Sequence, residues 1–110
     1  MSVYDPENSN ATTANLADFL RRDDLGSCEI SEMPGIGPAT KDRLSDFGIN
    51  KIGQVVGHLL TFDNGVRDTT EVCQALYDFL KNEVGVTANK HTIVFAAHNV
   101  ADEKGLNIGA

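Results

Sequence analysis

The residues whose types and spacing suit them for chemistry lie in one run, Met33-Pro34-Gly35-Ile36-Gly37-Pro38-Ala39-Thr40-Lys41-Asp42-Arg43-Leu44. Gly35 and Gly37 accept a positive φ without a Cβ clash, and Pro38 is preset for a first helical turn, where its missing N–H breaks no helical bond. The run therefore reads as a sharp turn that opens a helix. The unpaired amides of that first turn, with the positive end of the helix dipole, make a small anion site for which a phosphate oxygen is the natural occupant. Lys41 and Arg43 follow within reach of the same phosphate or its neighbour. A turn of this kind between two helices is the helix-hairpin-helix device, which grips nucleic-acid backbone through main-chain amides and so ignores base sequence.

Other reactive side chains are sparse. His91 and His98 fall two turns apart on one helix face, a spacing that frames a metal only with help from elsewhere. No i+4 partner, cysteine or helical carboxylate is read beside them, so they and His58 are expected as surface or interface side chains. Cys28, in a connector, and Cys73, on a buried helix face, lack metal-ligand spacing. They are expected as free thiols, with a structural disulfide the lesser alternative. No nucleophile elbow, Walker loop, dinucleotide fingerprint or zinc signature occurs. A chain that spends its length on a small helical core leaves no room for a catalytic domain. The expectation is a non-enzyme without cofactor or metal.

Composition sets the frame that holds the turn. A chain of 110 residues with 41% hydrophobic residues makes one domain with one modest core. It has no apolar run near the length of a bilayer span, and the start Met1-Ser2-Val3-Tyr4-Asp5-Pro6-Glu7 lacks the basic and apolar regions of a signal peptide. A soluble, intracellular protein without membrane insertion is expected. The formal net charge of −7 opposes attachment to a polyanion. Its distribution softens that objection: residues 1–34 carry seven acids and two bases, residues 35–61 two acids and three bases, and residues 62–110 seven acids and four bases.

The elements follow from periodicity and caps. Residues 1–12 read as a flexible leader, 13–104 as a single helical domain and 105–110 as a frayed tail. A first helix, capped near Thr12 or Thr13, would bury Leu16, Phe19 and Leu20 and end at Gly26. Arg21 and Arg22 suit its C-terminal dipole, Asp23 and Asp24 do not, and the whole end reads as solvated, with an arginine reaching a phosphate as the sharper alternative. Cys28 to Met33 is a connector with at most one helical turn. The helix after the hairpin runs from Pro38 to about Phe47, buries Leu44 and Phe47, and stops at Gly48 as a left-handed cap. Asn50 caps a helix with Ile52, Val55, Val56, Leu59 and Leu60 at amphipathic spacing. A long helix from Val66 or Arg67 to Val84 buries Cys73, Leu76, Tyr77, Leu80 and Val84 and ends at Gly85. Thr87 caps a last helix to about Glu103, whose broad apolar stretch Thr92-Ile93-Val94-Phe95-Ala96-Ala97 demands burial on several sides. The fold class is all-α, a compact bundle of about five helices containing a helix-hairpin-helix and SAM-domain-like in kind.

Spacing after the hairpin carries a resemblance. Gly35-Ile36-Gly37, Leu44, Gly48, Lys51, Val55, Gly57 and Leu60, without a gap, are similar to the central segment of the barrier-to-autointegration factor family of small homodimeric chromatin proteins. The likeness covers roughly residues 33–62, continues faintly at Gly85-Val86-Thr87-Ala88-Asn89-Lys90, and fades elsewhere. Pro38, Thr40 and Lys41 depart from the family's usual residues, and the helix to Val84 is longer than the family's.

The resemblance implies double-stranded DNA bound and bridged without sequence preference by a homodimer, in the nucleus or on chromatin. Gly35, Gly37, Ala39 and Thr40 would offer amides around Ile36 and Pro38, Lys41 and Arg43 would supply charge, and Thr87, Ala88, Asn89 and Lys90 would form a second contact. Gly53 and Gly57, a Gly-x-x-x-Gly on the helix with Val56 and Leu60, would let a second subunit approach; tight packing inside one subunit is the alternative. A rival reading of the whole chain is a protein-protein interaction module on the same fold, with Lys41 and Arg43 merely solvated.

Overall fold

The computed structural model of the chain describes residues 3–9, 13–21, 24–106 and 108–109. The fold is all-α. Five α-helices, α1 (Thr13–Leu20), α2 (Pro38–Ser45), α3 (Ile52–Thr61), α4 (Thr69–Asp78) and α5 (Lys90–Glu103), surround one core, and no strand occurs among the described residues. None of these helices is long and apolar enough to cross a membrane. Helix α5 is the central post. It touches α1, α3, α4 and the N-terminal turn, and Ile93, Val94, Ala96, Ala97, Val100 and Ala101 along it are all buried. The small alanines let three neighbours come close, which is how a helix without a single strong apolar face earns a central place.

Local chemistry sets the ends of the other helices. Helix α3 is amphipathic and buries Ile52, Val55, Val56 and Leu59. Its cap is Lys51 and not Asn50: Gln54 Oε1 accepts from the N–H groups of Asn50 (2.7 Å) and Lys51 (3.0 Å). A reciprocal box opens α4, with Asp68 accepting from Glu71 N–H at 2.8 Å and Glu71 accepting from Asp68 N–H at 3.0 Å. That helix starts at Thr69, leaving Val66 exposed, and passes at Phe79 into a π-helical turn, Phe79–Val84, closed by Gly85 in the left-handed region. Helix α2 ends at Ser45 with Asp46 as its cap, earlier than the expected Phe47, and Gly48 takes the expected left-handed conformation, φ 74°, in the turn beyond it.

Several expectations need correction. Helix α1 stops at Leu20, and Gly26 belongs to a separate 3₁₀ turn, Leu25–Ser27. Thr12, Arg22 and Asp23 lie outside the described residues; Arg21 pairs with Asp18 at 3.1 Å, both exposed. Helix α5 begins at Lys90 and not at Thr87, because Asn89 adopts the left-handed region at φ 60° and breaks the helical path there. Phe47 is 47% exposed and sits outside the core. Residues 3–9 are no detached leader: Tyr4 is buried, and its N–H donates to Gln74 Oε1 at 2.6 Å. Ile108, in the expected frayed tail, is likewise docked: it is buried and its carbonyl accepts from Thr69 Oγ1 at 2.9 Å.

The two glycines of α3 differ sharply. A Cβ at Gly53 would stand 2.7 Å from the carbonyl oxygen of Gly26, so the 3₁₀ turn after α1 sits directly on it. Close packing inside the subunit, the alternative to the expected dimer contact, therefore accounts for Gly53. Nothing lies within 4 Å of a Cβ at Gly57. Gly53→Ala is expected to destabilise the chain by about 1–3 kcal/mol through overpacking against rigid backbone. Gly57→Ala, measured on the monomer, should be neutral or stabilising by up to about 1 kcal/mol from helix propensity. Thermal unfolding of the two variants checks this, and equal shifts would contradict it.

Candidate nucleic-acid interface

The expected pair of full helices about the hairpin loop is not formed, and the loop stands on a short base. The helix before it is only the 3₁₀ turn Ile30–Glu32, so the loop joins one 3₁₀ turn to α2 instead of two full α-helices. An isolated antiparallel bridge fastens this base to the start of α3, with Ile30 N–H donating to Asn50 O at 3.2 Å and Ile52 N–H to Cys28 O at 2.9 Å. Met33 and Ile36 turn their side chains into the core, and Ile36 N–H is spent on Met33 O at 3.2 Å. Ile36 is therefore an anchor of the loop, not a surface contact as the sequence reading had it.

Gly35 and Gly37 turn out to do different things. Gly35 takes φ 93°, and a Cβ there would lie 3.0 Å from Thr92 Cβ and 3.2 Å from Ile93 Cγ1. Both its conformation and its packing on α5 demand glycine. Gly37 has an extended backbone, φ −96° and ψ −178°, contrary to the expected positive φ, and nothing lies within 4 Å of a Cβ added there. It is exposed and occupies the N-cap of α2. A Ser, Asp or Asn at that place would turn its side chain onto the amides of the first turn. Glycine leaves them open: Gly37, Ala39 and Thr40 N–H have no acceptor among the described residues, while Lys41 N–H begins the helical ladder on Gly37 O at 2.9 Å. Ala39 is exposed, whereas the Thr40 side chain is buried.

The cations are unequal as well. Lys41 Nζ lies 3.6 Å from Glu29 Oε2, both groups largely exposed. Arg43 reaches across to the loop before α5, its Nη1 standing 3.2 Å from where a Cβ of Gly85 would be. This contact and that of Gly35 on Thr92 bring the hairpin and the Thr87–Lys90 stretch to one end of the bundle. Thr87, Ala88 and Asn89 are exposed there. Lys90 folds back, its Nζ 3.4 Å from Thr87 O and 5.8 Å from the centre of the Tyr77 ring. Sequence reasoning missed Glu29 as the partner of Lys41 and Gly85 as the floor under Arg43; neither has a local signal, since both contacts join segments far apart in the chain.

No protein-family model, curated protein or solved structure matches this chain. The site's chemistry is thus read from its own residues.

The histidines and cysteines have structural roles. His91 Nδ1 accepts from Asp5 N–H at 3.0 Å, and its ring packs against those of Tyr4 and Tyr77. His98 does have an i+4 carboxylate, Asp102, at 3.5 Å, correcting the sequence reading. His58 stacks on Phe79 with centroids 5.0 Å apart. No group of three metal-ligating side chains is present among the described residues. Cys28 and Cys73 are buried and form no disulfide. Burial, helped by Asp102, pushes the Cys73 thiol up to about 11. The neutral thiol is the form the fold favours, so its contribution is intact below the usual thiol range and is lost as pH rises toward 11. Burial also pushes Tyr4 upward, in the same direction. Thermal stability is expected to fall between about pH 9 and 11, and Cys73→Ala should flatten that fall; an unchanged slope would remove the thiol as its cause.

Proposed function

We propose that this chain binds and bridges double-stranded DNA without sequence preference, as a homodimer presenting one hairpin from each subunit. The observation that supports it most is Gly37, a glycine that neither backbone conformation nor packing requires, capping a helix whose first amides are left unbonded. Such a site suits a ligand that must approach the main chain closely and brings its own negative oxygens. Arg43 and the Thr87–Lys90 loop extend the same surface, and Lys41 joins it when phosphate competes with Glu29. The likeness of residues 33–62 to the barrier-to-autointegration factor family is consistent with this reading and with a place on chromatin. The chain acts by binding and not by catalysis, with its buried thiol held protonated.

The dimer half of the proposal rests on α3. Gly57 opens on an apolar groove of about 330 Å³, lined among others by Val56, Leu60, Val100 and Leu106. Leu106 is 41% exposed at its lip. A second copy of α3 laid along this groove would cover it and account for Gly57. Bridging follows from two hairpins on one particle, each with few phosphate contacts, where binding of the first raises the local concentration seen by the second. The test is capture: protein mixed with a biotin-tagged and an untagged duplex should retain the untagged one on streptavidin. Retention of the tagged duplex alone would show binding without bridging.

A second reading, a protein-protein interaction module on the same fold, is favoured by the exposed Phe47 and by the acidic balance of the chain.

A further inference from the structure

Away from the hairpin amides and the α3 groove, a surface hollow lies where α4 gives way to its π-helical turn. It measures about 450 Å³ and is lined by Phe62, Ala75, Asp78, Phe79, Asn82 and Glu83. Phe79 is the hub of an aromatic cluster outside the core. His58 stacks on it at 5.0 Å, Phe62 is tilted at 6.0 Å, and Phe47 meets it edge-on at 6.1 Å between centroids. The four rings come from α3, the loop after α2, the end of α3 and the π turn, and Phe47 among them is 47% exposed. π-Helical turns are rare and recur as single-turn insertions at functional positions.

Two carboxylates complete the lining. Asp78 is half-buried, with Oδ1 held at 2.9 Å by Gln74 Nε2, and Glu83 is exposed one turn further on. The lip carries cations too: Arg67 donates to Phe62 O at 3.1 Å, and Lys81 lies on the same turn with a partner of its own. Aromatic faces beside carboxylates, of which Asp78 is held in place, complement a flat, delocalised cation better than a compact one, because a guanidinium stacks on a ring while its edge donates to oxygen. The net charge of −7 adds attraction over the whole surface for a basic chain.

We propose that the hollow between Phe62 and Phe79 docks an arginine-bearing basic segment of a protein partner, the guanidinium lying on the phenyl faces and donating to Asp78 and Glu83. The site is separate from the hairpin and does not depend on DNA binding.

Fluorescence anisotropy with a fluorescein-labelled Arg-Gly-Arg-Gly-Arg-Gly peptide tests it, beside the same peptide with citrulline for arginine. The arginine peptide binds the wild-type chain saturably and the citrulline peptide does not. Asp78→Asn with Glu83→Gln, both near-isosteric, weakens binding about tenfold or more, and Phe79→Leu weakens it several-fold. Glu32→Gln with Glu103→Gln, outside the hollow, removes the same net charge and leaves affinity within about twofold. Lack of binding by the wild type, equal binding of the citrulline peptide, or equal losses in the two carboxylate pairs would each overturn the proposal. If Phe79→Leu does not fold, the carboxylate pairs decide alone.

Discussion

Lys41→Glu with Arg43→Glu is expected to weaken attachment of a short duplex at least about a hundredfold at low salt. The figure follows from two lost charge-assisted contacts to phosphate, each worth about 1.5–3 kcal/mol, before any repulsion from the new carboxylates is counted. Non-specific binding draws almost all of its free energy from such contacts, so little else remains to hold the DNA. The fold should survive. Lys41 and Arg43 are not core residues, and the ion pair that Lys41 makes with Glu29 is exposed and 3.6 Å long, so its loss is worth under about 1 kcal/mol. Circular dichroism melting beside the binding curve separates lost contact from lost structure. Undiminished binding by a folded variant would move the DNA site away from the hairpin and leave Lys41 and Arg43 as solvated charges.

Gly57→Leu is expected to halve the particle mass measured by light scattering. The position faces open space, with nothing within 4 Å of a Cβ placed there, so the first side-chain atom meets no clash within the subunit. It would instead fill the groove between Leu60, Val100 and Leu106 from within and cover the apolar floor that a second α3 would use. A monomer with unchanged or raised thermal stability is the expected product, and bridging of two duplexes should vanish while attachment to one persists in weaker form. Wild-type mass equal to that of one chain, or a variant that still assembles, would remove α3 as the interface.

What the sequence made legible was periodic. The spacing of Ile52, Val55, Val56 and Leu59 placed α3 because it repeats with the helix itself, and the breadth of the apolar stretch from Thr92 to Ala97 called for a helix buried on several sides, as α5 is. The loops were opaque for the opposite reason. Tyr4, Leu25, Ile30, Met33, Ile36, Val86 and Ile108 are all buried, yet each enters the core from a turn or an extended segment, where no period marks the inward face. Phe47 failed the other way: an aromatic residue near a helix end reads as core, while here it joins a surface cluster on Phe79.

The hairpin shows the same division at finer scale. Its turn, its proline-led helix and the left-handed Gly48 after that helix follow from residue types alone. That Gly35 is fixed by α5 and Gly37 by nothing within the chain is a tertiary fact, carried by Thr92 and Ile93 more than fifty residues away. This distinction also chooses the control. A bulky residue at Gly35 would strain a positive φ and strike Thr92, confusing lost binding with lost packing, whereas Gly37 offers the surface without the strain.

The most direct measurement is therefore an anisotropy titration of a short random-sequence duplex at two salt concentrations, with the wild-type chain beside Gly37→Glu. Hairpin amides gripping phosphate predict wild-type binding that weakens modestly at the higher salt, as few contacts require, and a folded Gly37→Glu variant that does not bind. No wild-type binding at low salt, or equal binding by the variant, would contradict the account.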